Sequence, residues 1–122
     1  VSAESPTIEI VEEVEVIEVK TTEQIIREEF LDVPILIDIA RCESRFRQFE
    51  NGKVLTGVVD PRDTGVFQVN TYYHLATANK LGYDIFTLKG NMEYARWLYN
   101  KEGSRPWNAS KGCWNPNREV VL

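Results

Sequence analysis

Apolar positions along this chain recur mostly at helical spacing. Thr21-Thr22-Glu23-Gln24 reads as a capping box. In it the Thr21 hydroxyl accepts from the Gln24 N–H and the Gln24 side chain reaches back. It predicts a first helix ending near Phe30. Asp32 followed by Pro34 reads as a second start, because proline fits only the first helical turn, and predicts a helix over 33–45. At 100° per residue, Ile35, Ile39, Cys42 and Phe46 share one stripe of that helix, flanked by Leu36 and Ala40.

The middle of the chain changes character. Phe49-Glu50-Asn51-Gly52-Lys53-Val54 carries the Asn-Gly signature of a tight hairpin. Val58-Val59 predicts a third short strand, and residues 60–65 have turn chemistry. Residues 66–69 lead into a helix over 71–81 stopped by Gly82. Asp84 caps a short turn, and a longer helix covers 91–102, closed by Gly103. Asn108 caps one last turn reaching Cys113. No internal repeat is present. The expected fold is α+β, mostly α, with one small β-hairpin between helices.

Residues 1–20 differ from the rest. Ile8, Ile10, Val14, Val16 and Val19 alternate with glutamates, which allows an edge strand, but the glutamate density favours an extended acidic linker. Six Glu against Lys20 give this stretch a charge of −5, and the whole chain is also −5, so the remainder is neutral. A neutral domain without a basic stripe is a poor nucleic-acid binder. The expected organisation is a 1–20 linker, a 21–114 domain and a 115–122 tail. No apolar run reaches the length of a membrane span, and the Val1-Ser2-Ala3-Glu4 start reads as a processed or trimmed terminus. An anchor upstream of residue 1 is the one route to a membrane.

Cys42 and Cys113 are far apart, and neither a CxxC nor a Cys/His zinc pattern exists, so no metal site is expected. The residues alone admit two buried thiols, one long-range disulfide in an oxidising compartment, or a reactive thiol.

Glu43 carries the chemistry. On the helical wheel it falls between Ile39 and Leu36, within the apolar sector, whereas Asp38, Arg41 and Arg45 cluster elsewhere. A carboxyl group there loses hydration, its pKa rises, and it suits general acid catalysis near neutral pH. The plain alternative is a surface ion pair with Arg47 at i+4.

The neighbours of Glu43 carry a resemblance. Glu43-Ser44-Arg45-Phe46 resembles the Glu-Ser-x-Phe motif of soluble lytic transglycosylases, within the lysozyme-like superfamily. Gly65-Val66-Phe67-Gln68-Val69-Asn70 resembles their Gly-Leu-Met-Gln segment. Residues 91–99 are similar to the following helix, and Trp107-Asn108-Ala109 stands where they carry Tyr-Asn-Ala-Gly. The Cys42 and Cys113-Trp114 contexts also resemble the resuscitation-promoting factors, which join the corresponding cysteines. The likeness covers about residues 33–114. Three features depart from it: a longer Glu43–Gln68 stretch, Trp107 for Tyr, and Ser110 where Gly is expected.

The resemblance implies a lysozyme-like fold, a secreted or cell-envelope location, a Cys42–Cys113 disulfide, no cofactor, and peptidoglycan glycan strands as partner, bound by a monomer. Glu43 then protonates the bond between N-acetylmuramic acid and N-acetylglucosamine and takes the muramyl 6-hydroxyl proton, closing a 1,6-anhydro ring. A hydrolytic variant needs a second carboxylate to position water, for which Asp63 and Asp60 are the candidates, although both also suit ordinary turns. A third reading is a peptidoglycan-binding module without catalysis. Gln68 and Asn70 are expected to bind sugar, with Thr64 offering a hydroxyl or a turn cap. Tyr94 and Trp107 are candidate aromatic faces, Trp97 is expected in the core, and His74 is an ordinary helix residue.

Overall fold

The computed structural model describes residues 18–115. The proposed linker or edge strand therefore lies outside the described residues except for 18–20, and the expected tail lies outside them from 116. The described chain is an α+β domain, mostly helical, with five α-helices, one 3-10 helix and two small antiparallel sheets.

Helix α1 (Thr22–Glu29) starts at the expected capping box: the Thr21 N–H donates to Gln24 Oε1 at 2.8 Å and the Gln24 N–H to Thr21 Oγ1 at 3.2 Å. Helix α2 (Pro34–Ser44) has its proline in the first turn, but its N-cap is Val33, not Asp32. Asp32 instead receives two hydrogen bonds from Arg96, at 2.6 and 3.2 Å, while the same guanidinium donates to the Glu29 carbonyl and covers the Phe30 ring. That bracket fixes the α1–α2 corner. Ile39 of the apolar stripe and its flanking Leu36 and Ala40 are buried, whereas Ile35, Cys42 and Phe46 of the stripe are only partly buried against the core.

Strands β1 (Phe49–Glu50) and β2 (Lys53–Val54) form the expected hairpin, with Asn51 and Gly52 at φ +53° and +75°. The expected strand at Val58-Val59 does not form; both side chains are fully exposed and bury nothing that would fix a register. A second hairpin appears in its place, β3 (Asp63–Thr64) against β4 (Val69–Asn70), pairing Asp63 with Asn70 and Thr64 with Val69. A bridge between Thr56 and Thr64 links the two hairpins into one lobe.

Helix α3 (Thr71–Leu81) starts at Asn70, whose Oδ1 accepts the Tyr72 and Tyr73 N–H groups, and stops at Gly82. Helix α4 (Leu88–Glu102) begins a turn earlier than the sequence pattern suggests, because Thr87 caps it by accepting from the Gly90 N–H. Asn108 caps nothing: a 3-10 helix (Arg105–Ser110), with Pro106 in its first turn, leads directly into α5 (Lys111–Trp114). The core joins α1, α2, the 66–69 turn, α4 and the two tryptophans Trp107 and Trp114. Its wholly buried members, such as Ile26, Phe30, Leu36, Ile39 and Phe67, each contribute roughly 1.5–3 kcal/mol by leaving water. A Cys42–Cys113 disulfide ties α2 to α5. None of the described helices is long and apolar enough to cross a membrane.

Candidate active site

Glu43 lies in the last turn of α2, one residue beyond Cys42. The helix ends at Ser44, and Arg45 and Phe46 then adopt left-handed backbone at φ +53° and +60°. Two successive non-glycine residues in that region cost on the order of 1–3 kcal/mol each. The surrounding contacts must hold them, and Ser44 is the anchor. Its hydroxyl, buried, donates to the Val66 carbonyl at 2.7 Å and accepts the Arg47 N–H at 3.2 Å.

This break in the helix also removes the Glu43–Arg47 ion pair. Arg47 no longer sits one helical turn beyond Glu43; its guanidinium donates to the Ser44 carbonyl and to Glu50. Glu43 is half-buried and accepts instead from the Ser110 hydroxyl at 2.7 Å. Its carboxyl pKa is raised, first by burial and further by the negative Asp63, with the Ser110 hydrogen bond opposing both.

Two hollows flank this point. One, of about 390 Å³, is lined by Glu43, Arg47, Leu55, Val58, Asp63 and Gln68 among others. The larger, of about 430 Å³, lacks Glu43 and is lined by Asp63, Gln68, Asn70, Tyr73, Glu102 and Trp107 among others. Asp63 and Gln68 border both, so the hollows lie on either side of these two side chains.

The turn carrying Gln68 is held from behind by two buried amides. Gln48 Oε1 accepts the Val66 N–H at 2.8 Å, and Asn91 Oδ1 accepts the Phe67 N–H at 2.9 Å. Asn91 Nδ2 donates to the Thr64 and Ile85 carbonyls, both at 2.9 Å. Gly65, at φ +71°, must be glycine, since a Cβ there would lie 2.5–2.6 Å from both amides. Gln68 itself has φ +49°, and its Nε2 donates to the Gly65 carbonyl at 2.9 Å.

The two candidate water-positioning carboxylates differ. Asp60 borders neither hollow; it is bound by Arg62 and Asn70, and Arg62 holds its carboxyl down at about 2. Asp63 borders both hollows and accepts from Asn70 Nδ2 at 3.0 Å. Asn70 therefore lines the larger hollow with every amide position engaged, two at the α3 cap and two on Asp60 and Asp63.

The remaining sugar-site candidates are spread out. Thr64 is buried, donates its hydroxyl to the Arg62 carbonyl, and borders neither hollow. Trp107 walls the larger hollow but is only 4% exposed, its ring edge-on to Phe67 and its Nε1 donating to the Phe67 carbonyl. Tyr94 is buried, pushed up to about 12 by burial and Glu102, and its hydroxyl lies 2.7 Å from His74 Nδ1. It borders a smaller side hollow with His74 and with Trp97, which is half-buried and packs against the core. Burial lowers the His74 pKa, and His74 also lines the larger hollow. Tyr73 is exposed at the rim.

Gln48, Asn91 and Ser110 were not legible as site residues. Only the unexpected serine in the Trp107-Asn108-Ala109-Ser110 segment marks that position as unusual. Among the described residues no cluster of His, Cys, Asp and Glu is arranged to hold a metal ion. No family model matches the chain, and neither a curated protein nor a solved structure is significantly similar to it.

Proposed function

We propose that this chain cleaves the β-1,4 bond between N-acetylmuramic acid and N-acetylglucosamine in peptidoglycan, with Glu43 as general acid and then base. On this reading the α+β domain is a lysozyme-like fold acting outside the cytoplasm, where a Cys42–Cys113 disulfide persists. It binds glycan strands as a monomer and uses no cofactor.

One observation carries the reading. Glu43 is a half-buried carboxyl group, without an ion pair among the described residues, bordering a hollow of about 390 Å³ and held by a neutral hydroxyl. Its raised pKa suits proton donation near neutral pH. The proton passes to the glycosidic oxygen as the C1–O bond breaks, and the leaving sugar departs with a free hydroxyl. The Glu43 carboxylate then takes the proton of the muramyl 6-hydroxyl, whose oxygen bonds to C1. One proton is given and one regained, so no water is consumed. On this reading Gln68 and Asp63, which border both hollows, hydrogen-bond the sugars on either side of the bond.

Hydrolysis is the second reading, favoured by Asp63 bordering the same hollow as Glu43 and adding to its raised pKa. Asp63 then positions a water that attacks C1.

Clearance of purified cell walls by the parent protein and by Glu43→Gln tests the proposal. The parent is expected to clear, and the variant to lose about 10²–10⁴-fold in rate. Equal clearance by both removes Glu43 from the mechanism. Wall binding without clearance by the parent leaves a binding module.

A further inference from the structure

Ser110 stands between Glu43 and two tryptophans. Its Oγ lies 2.7 Å from Glu43 Oε1 and 3.2 Å from the Trp107 carbonyl oxygen, and it accepts the Trp114 indole N–H at 3.0 Å. A serine hydroxyl has one proton and two lone pairs. Trp114 occupies one lone pair, leaving one proton, one lone pair and two neighbours.

When Glu43 is ionised, the Ser110 proton goes to Oε1, the nearer and charged acceptor. When Glu43 is protonated on Oε1, that acid proton enters the vacant lone pair of Ser110, and the Ser110 proton turns to the Trp107 carbonyl. Both states are fully hydrogen-bonded with no heavy atom displaced. A fixed N–H donor cannot accept the acid proton, and a fixed carbonyl cannot donate to the carboxylate.

We propose that Ser110 is the positioning residue of Glu43, a hydroxyl rotor that holds the carboxyl group in one orientation through both halves of the reaction. The proposal rests on Glu43 acting as acid and then base. The scaffold is built for it. Trp114 Nε1 also donates to the Trp107 carbonyl at 3.1 Å, so one indole braces both the rotor and its resting acceptor. The Cys42–Cys113 disulfide joins the helix of Glu43 to the helix that follows Ser110.

The other charged groups facing Glu43 are committed elsewhere. Arg47 and Glu50, on the same hollow, pair with each other at 3.0 Å. Asp63, from β3, accepts from Asn70 and acts on Glu43 only through its charge. Among the described residues, removing the Ser110 hydroxyl therefore removes the one side-chain hydrogen bond that responds to the Glu43 proton.

The test is an NMR titration of the Glu43 carboxyl carbon in the parent, Ser110→Ala and Ser110→Thr, assigned by its absence in Glu43→Gln. Ser110→Ala is expected to move the Glu43 midpoint to higher pH, and Ser110→Thr to bring it back toward the parent. The alkaline limb of wall clearance should move in the same direction, with clearance at the optimum falling on the order of tenfold. An unchanged midpoint in folded Ser110→Ala overturns the proposal whether or not the walls clear. A shifted midpoint with full clearance by Glu43→Gln removes Glu43 from the mechanism instead. Ser110→Gly, lacking the same hydroxyl, serves as a second variant if Ser110→Ala folds poorly.

Discussion

Gln48 accepts the Val66 backbone N–H at 2.8 Å, so a side chain just beyond the helix of Glu43 fixes the turn that presents Gln68. Both groups are buried, Gln48 at 1% exposure and Val66 at 0%. Replacing Gln48 by Leu keeps the volume but orphans the Val66 N–H and removes one of the two donors to the Ile85 carbonyl, leaving Asn91. An unmade hydrogen bond of this kind costs about 1–3 kcal/mol. Asn91→Leu strands the Phe67 N–H and is expected to cost a similar amount. Because the two amides clamp one turn, the double variant should lose measurably less or more than the sum, by about 0.5 kcal/mol or beyond. Urea unfolding of the four proteins checks it, and strict additivity would show that the amides do not act together.

The disulfide closes a loop with a sequence separation of 71. On the chain-entropy relation such a cross-link restricts the unfolded chain by about 4 kcal/mol. Cys42→Ala with Cys113→Ala is therefore expected to lower the unfolding free energy by roughly 2–4 kcal/mol. The parent in a strong reductant should behave the same way, and oxidised and reduced parent melting together would contradict it. The same bond lies next to Glu43, so the reduced protein should also lose wall clearance before it loses helical circular dichroism.

The elements that depend on near neighbours were legible in the chain, and the contacts that span it were not. The Thr21–Gln24 box, the Asn51-Gly52 turn and the 71–81 helix are each decided within a few residues. The apolar arc of α2, with Glu43 on it, also follows from local spacing. The β3–β4 hairpin was hidden because Asp63 and Asn70 are poor strand formers. What holds it is Asn91, 27 residues from Thr64. Val58-Val59 illustrates the converse, a β-branched pair with no partner surface. Ser110 meets Glu43 across 67 residues, and no periodicity encodes that meeting. The arc predicted a poorly hydrated carboxyl group; only the fold supplied its hydroxyl and the hollow beside it.

Glu43 and Asp60 should make opposite contributions to stability as pH changes. Burial raises the folded Glu43 pKa above its ordinary 4.5, so the unfolded chain ionises first as pH rises. That contribution is complete below about 4.5 and is lost as pH rises through the folded value. Glu43→Gln should accordingly gain stability relative to the parent as pH rises from about 4.5 through the folded Glu43 value. Asp60 is held near 2 by Arg62, so its contribution is present above 3.8 and is lost as pH falls through about 2. Asp60→Asn should be less stable than the parent at neutral pH, with the difference closing in acid. Thermal melts across the range check both signs, and a Glu43→Gln advantage that shrinks as pH rises would contradict the buried-carboxyl account.

Asp63 separates the two chemical outcomes. It borders both hollows and is held by Asn70 at 3.0 Å, in position to act on a water or a sugar hydroxyl. If attack comes from the muramyl 6-hydroxyl, no second carboxylate is needed. Asp63→Asn should then leave anhydro products, with rate reduced roughly tenfold or less through lost sugar contacts. If water attacks, removing the carboxylate costs on the order of 10²–10⁴ in rate, because no base remains to align it. Mass spectrometry of digested glycan reads the difference directly, since the anhydro product is one water lighter. Asp63→Asn also removes the negative neighbour of Glu43, so the alkaline limb of activity should move to lower pH. We expect anhydro products from both parent and variant, because Glu43 has its own reversible hydroxyl partner in Ser110. Hydrated products from the parent, abolished in Asp63→Asn, would instead make the pair of carboxylates a hydrolase.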